Sequence, residues 1–232
     1  MKWGFYDKLR PIQIEEIQKQ FPIAYLPWGA IEYHGNHNPT GLDTHKAQHL
    51  CIGLAKKNGG LIFPSINFAA NLISSYPGTN FPKHSIEFSE KLIQSICQEY
   101  FEQLAKQEFK IILLLSGHAG EPHLQILRNI ATEFNKKHTN IHFWAFAEFD
   151  ILPDSLLVPN HSALGETSLQ LLYEPETVAL DVLPVDGEIT LAAHAVSGAD
   201  PRPSTAKHGK KIASAFLENA TEKINELKKK YL

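Results

Sequence analysis

Between Glu32 and His45 the chain reads EYHGNHNPTGLDTH, a stretch that offers a carboxylate at Glu32, an imidazole at His34 and a second carboxylate at Asp43. These donor types together suit a divalent cation of borderline hardness. The apolar run PIAYLPWGA ahead of them reads as a buried strand that runs out into a functional loop. Side chains alternate between the faces of a strand, so Glu32 and His34 are expected to project together while Tyr33 points away. Asp43 closes a loop rich in Gly, Asn and Pro, whose backbone can fold a third donor over the same point.

Three further segments carry chemistry. In SGHAGE, His118 stands at the end of the most apolar strand, between small neighbours that leave its imidazole accessible. In NHSALGETSLQLL, His161 and Glu166 lie where a loop enters a helix, and Glu166 near that start could point at the site or simply favour the helix dipole. YPGTNFPKH is a turn able to form one wall of a pocket. Glu121 could merely open the helix after it, and His37, His45 and His49 read as groups behind the site or on the surface.

The elements that must position these residues alternate along the chain. THKAQHLCIGLAKKNGG has helical spacing, begins with acceptors suited to an N-cap and stops at Asn58, Gly59 and Gly60. LIFPSINFAA reads as a strand interrupted by Pro64, and an amphipathic helix is expected from about residue 86 to 106. FKIILLL is a buried strand, followed by a helix over about 122–137, the strand IHFWAFAEF and a charged helix over about 204–231. This rhythm predicts an α/β fold with three α/β/α layers and a mainly parallel central sheet, in which ligands collect at the carboxyl ends of the strands.

With 232 residues, 43% of them hydrophobic, the chain can bury one large core and is expected to form a single domain over residues 1–232. A formal charge of −3 with interspersed signs points away from nucleic acid and from an anionic membrane surface. MKWGFYDKLRP lacks the apolar segment of a signal peptide and IILLL is too short to span a bilayer, so a soluble cytoplasmic protein is expected. Cys51 and Cys97 fall within helical patterns and read as buried reduced thiols. Twelve histidines are many for this length and are the one compositional sign of metal chemistry. No G-x-S-x-G elbow is present, which disfavours a serine hydrolase.

PWGAIEYHGNHNPTGLDTHKA resembles the signature of the creatininase family, P-x-G-S-x-E-Q-H-G-P-H-L-P-L-G-T-D-T. SGHAGE is similar to that family's N-G-H-G-G-N, YPGT to its F-P-G-T, HSALGETS to its H-A-G-x-x-E-T-S, and SGADPRPSTAKHG to its late Gly-Asp-Pro pattern. The resemblance implies a three-layer fold and a hydrolase with a binuclear site, holding two divalent metal ions, Zn paired with Zn, Mn or Fe. It implies action on C–N bonds other than peptide bonds, in a small cyclic amide, cyclic amidine or formamide, by a homo-oligomer such as a hexamer. Carried over by residue, it makes Glu32 a ligand of one metal, His34 and His118 ligands of the other, and Asp43 the bridge. Creatininase itself has an acid where this chain has Gly120, so the fifth ligand is either Glu121 or Glu166, with Glu166 matching the E-T-S acid. His161 matches the histidine that handles protons near the substrate, and is expected to act as proton donor with Glu166 as metal ligand or base. The tryptophan that creatininase carries just before that histidine is replaced by the stretch Leu156 to Asn160, which points away from creatinine itself. The alternative is a catalytically silent member that keeps a metal and serves as a binding or assembly subunit.

Overall fold

The computed structural model describes residues 1–232. Five strands, β1 (Trp3–Phe5), β2 (Ile23–Trp28), β3 (Gly60–Ile62), β4 (Ile111–Ser116) and β5 (His142–Ala147), form one sheet in the order β1-β3-β2-β4-β5. Every neighbouring pair is parallel, and β2 is matched to β4, and β4 to β5, over six residues each. Seven helices accompany them: α1 (Pro11–Gln20), α2 (Leu42–Asn58), α3 (Glu90–Lys106), α4 (His123–Lys137), α5 (Leu164–Tyr173), α6 (Leu191–His194) and α7 (Ala206–Tyr231).

β2 and β4 are buried at every position because both faces of the sheet are covered, which is why they read as unbroken apolar runs. Alternation divides them between two cores. Ala24, Leu26, Trp28, Ile112 and Leu114 join residues of α1, α3 and α4 on one face, while Ile23, Tyr25, Ile111, Leu113 and Leu115 join those of α2, α5 and α7 on the other. The result is the expected three layers, α/β/α. Cys51 and Cys97 are both free and buried, one in each core. No helix is long and apolar enough to cross a membrane.

Two expectations change. LIFPSINFAA is a strand only as far as Ile62, beyond which two isolated bridges remain, Trp28 with Ile66 and Ala69 with Glu87, since Pro64 has no N–H to give a ladder. The freed chain over residues 63–89 winds across the carboxyl edge of the sheet and walls the site. The helix expected from residue 86 begins at Glu90, where Ser89 Oγ accepts the Leu92 N–H at 3.3 Å, because Ile86 and Phe88 spend their N–H groups on Ile31 and Ala69.

Candidate metal centre

β2 ends at Trp28, so Glu32 and His34 lie beyond the strand, and pleat alternation is not what aims them. Their aim comes from loop bonding: the Glu32 N–H donates to Thr40 O at 2.9 Å, folding the loop back on itself. Asp43 sits in the first turn of α2, but this helix has Gly41 at its N-cap and no side-chain cap, so the Asp43 carboxylate is not consumed there. Two glycines allow α2 to enter so close. A Cβ at Gly29 would collide with Thr44, and one at Gly117 with the backbone carbonyl of Asp43, so only glycine at these positions lets the ends of β2 and β4 touch the helix start.

Three sets of donor atoms lie within 4.8 Å of one another: two include Asp43, one with Glu32 and His118 and one with His34 and Glu166, and the third joins Glu32, His34 and His161. His118 Nδ1 lies 2.9 Å from Glu32 Oε2 and 3.5 Å from Asp43 Oδ2. His34 Nε2 lies 3.3 Å from Asp43 Oδ1 and 3.9 Å from Glu166 Oε2. Asp43 therefore turns one oxygen to each group. His118 stands with Glu32, whereas the sequence resemblance paired it with His34. The reason is that β4 emerges beside the loop over residues 70–73, which also anchors Glu32: the Ile73 N–H donates to Glu32 Oε1 at 2.5 Å.

The imidazole tautomers are set from behind. His34 Nδ1 lies 3.0 Å from Glu32 O and His118 Nε2 lies 3.1 Å from Ala70 O; a carbonyl only accepts, so each of these nitrogens carries the hydrogen. The opposite nitrogens then aim lone pairs at carboxylate oxygens. Glu32 Oε2, His34 Nε2 and Asp43 Oδ2 are fully buried and have no hydrogen-bond partner, and the close approach of Glu32 Oε2 to His118 lacks hydrogen-bond geometry. Lone pair facing lone pair at these distances requires a cation between them, either a proton or a metal ion. Ligands about 2.1 Å from a tetrahedral ion stand about 3.4 Å apart, close to the separations found. The donor set fits divalent metal on both counts.

The same field governs protonation when no metal is bound. Burial disfavours the charged form of His34, but Asp43, Glu166 and Glu32 outweigh it and raise the imidazole to about 9. His118 is likewise carried well above its ordinary value against the pull of burial by Glu32 and Asp43. Burial also opposes ionisation of Glu32 and Asp43, yet the facing histidines hold both below the usual carboxylate range.

His161 sits beside His34, ring against ring at 4.3 Å, held by paired backbone hydrogen bonds with Ser197 of 2.8 and 2.9 Å. Burial and the neighbouring His34 lower its pKa, so it is neutral at pH 7. Its Nε2 donates to Tyr33 O at 3.0 Å, which leaves Nδ1 with the free lone pair. His161 lines a cavity of about 170 Å³ together with Glu32, Asp43, His118 and Glu166, and with Tyr76 from the YPGT turn. Glu121 is turned away: it is exposed, accepts the Gln125 N–H at 3.0 Å and pairs with Arg128. Of the two acids open for the fifth place, only Glu166 is near the donors. His37 supports the site from behind, its Nε2 2.9 Å from Ser162 O, while His45 and His49 share Glu174 outside it.

Sequence reasoning missed Lys46 and Glu148. Lys46 Nζ lies 2.6 Å from Glu166 Oε1 and 2.7 Å from Glu148 Oε1, and all three side chains are buried. A signal existed for each. Lys46 falls on the buried stripe of α2 with Asp43, Leu50 and Leu54, and Glu148 directly follows β5 at the edge where ligands collect.

The fold and this cluster define an α/β protein with a candidate metal centre at the carboxyl edge of its sheet. The family described as Creatininase, creatinine amidohydrolase, matches residues 7–224, and the chain belongs to this family. It is 22% identical to the creatinine amidohydrolase of Pseudomonas putida over 234 aligned residues, 88% of this chain and 89% of that one. Among solved structures, a mutant creatininase of Zn-Zn type superposes with a TM-score of 0.79 at 17% identity, covering 96% of this chain and 97% of the other. A creatininase with Mn gives 0.78 at 18% identity, with 96% and 97% covered. At such identities the structural likeness is one of fold.

Proposed function

We propose that this chain, as one domain over residues 1–232, is a binuclear metal-dependent amidohydrolase. The observation that carries the reading is that Asp43 is shared by two of the three donor groups, with unpartnered atoms of Glu32, His34 and Asp43 itself between them. Glu32 and His118 would hold one divalent ion, His34 and Glu166 the other, and Asp43 would bridge them; Zn with Zn, Mn or Fe suits this mixture of nitrogen and oxygen donors. Two such ions, when bound, supply a water of lowered pKa and an electrophile for the substrate carbonyl.

The chain's own residues account for the proton. His161, neutral at rest with its lone pair on Nδ1, takes the proton of the attacking water as oxygen adds to the carbonyl carbon. It returns that proton to the departing nitrogen as the C–N bond breaks, so an amine leaves in place of an amine anion. The cavity is small, and its Tyr76, Pro159 and Leu191 provide flat or apolar wall, which suits a small cyclic amide, cyclic amidine or formamide. We place the enzyme in the cytoplasm as a homo-oligomer, hexameric by family likeness; a monomer mass in light scattering would contradict the assembly.

His161→Ala tests the mechanism. The variant should keep its metal content by elemental analysis and lose roughly 10²- to 10⁴-fold in kcat on whichever lactam, amidine or formamide the wild type cleaves. Undiminished turnover by the variant would refute the proton-carrying role, and no turnover of any such compound by the wild type would favour the silent binding subunit.

A further inference from the structure

The two donor groups differ in what stands behind them. Glu32 is held through Oε1 by one neutral backbone N–H, from Ile73, and its Oε2 has no hydrogen-bond partner. Both oxygens of Glu166 are engaged: Lys46 Nζ donates to Oε1 at 2.6 Å, and the Ser162 N–H donates to Oε2 at 2.7 Å. Lys46 cannot relax away. It is buried on the inner face of α2, one turn along from Asp43, and its other contact is the equally buried Glu148 at 2.7 Å.

We infer that Lys46 sets the two cation positions apart, making the one at His34, Asp43 and Glu166 the weaker and later filled. The inference rests on the two-cation reading above. A fixed ammonium bonded to a ligand carboxylate withdraws charge from it and repels a divalent ion nearby. Glu148 moderates that effect by sharing the ammonium between two acids. Lys46 is thus a positioning residue that acts through Glu166, and changes of this kind behind a ligand move metal affinity by roughly 10- to 100-fold.

The opposing contacts make the test specific. Lys46→Met with Glu148→Gln removes one charge of each sign, so net charge is unchanged while Glu166 is released. Glu148→Gln alone leaves the whole ammonium on Glu166. The metal-free full-length chain would be titrated with Zn²⁺ against a chromophoric chelator and with Co²⁺ by visible absorption. The wild type should take one equivalent tightly and a second roughly 10- to 100-fold more weakly. The double variant should close that gap, and Glu148→Gln should widen it. A merely structural role would move both variants the same way, and that result would overturn the inference. So would two equivalents of equal affinity in the wild type, with the two-cation reading intact. Fewer than two equivalents in the wild type and in both variants would overturn the reading and the inference together. Should the double variant fail to fold, the wild-type steps and the Glu148→Gln shift still decide the matter.

Discussion

The molecule contains two clusters of histidine and acid, both supplied partly by α2, and they are built on opposite principles. The inner one gathers Glu32, His34, Asp43, His118 and Glu166, all buried, with histidine tautomers fixed by backbone carbonyls and with one atom each of Glu32, His34 and Asp43 left without a hydrogen-bond partner. The outer one sets His45 and His49, one helical turn apart, around Glu174, each imidazole 3.1 Å from its own carboxylate oxygen. Its side chains are about 30% exposed, and its acid is already satisfied. Residue types alone thus do not distinguish a candidate metal centre from a surface cluster of histidine and carboxylate. What distinguishes them is unsatisfied, preorganised lone pairs on largely buried side chains at the floor of a cavity.

Three perturbations sharpen this contrast, in descending order of effect. Asp43→Ala should be the most damaging, because one side chain serves both inner groups: elemental analysis should find most of the metal gone, and activity should fall by more than about 10³-fold, the scale on which a metal supplies catalysis. Full metal content in that variant would end the bridging assignment.

Removing metal from the wild type should also change its stability, by a smaller amount that depends on pH. His34 rises from an ordinary value of 6.5 to about 9 in the folded chain, so its ion pairing stabilises fully below 6.5 and is lost as pH climbs through 9. Asp43 and Glu32 act in the opposite sense, losing their contribution as pH falls through the carboxylate range. Chelated protein should therefore show an unfolding free energy, measured in urea, that declines from about pH 6.5 to about pH 9, by at most about 1.4 kcal/mol per pH unit for this group. Loaded protein should not decline in this window, and parallel pH profiles with and without metal would contradict a cation between these residues.

Glu174→Gln should matter least. The outer cluster is partly exposed, so stability in urea should change by less than about 1 kcal/mol and metal content should not change. Loss of metal on that substitution would erase the distinction between the clusters.

Much of this was legible beforehand. The βα rhythm and the apolar runs of β2 and β4 were enough for a three-layer parallel fold, since a strand covered on both faces has no reason to alternate. Glu32, His34, Asp43, His118, His161 and Glu166 could all be named because each stands just past a strand or at a helix entrance. β1 was not legible: Trp3–Phe5 is too short to show a period and exists only because β3 offers an edge. Lys46 was not legible either, since nothing local announces that Glu148 and Glu166, more than a hundred positions later in the chain, will neutralise it.

The sequence by itself determined the layers, the strand ends that bear the chemistry and the family to which the chain belongs, because these depend on local periodicity and on contiguous motifs. Only the tertiary structure decided how the donors divide, with His118 beside Glu32 and His34 beside Glu166, and that Glu121 caps α4 and stays outside. Those outcomes depend on how closely α2 can approach the ends of β2 and β4 through Gly29 and Gly117. Such an approach is a contact between distant segments, and no spacing within a single segment encodes it.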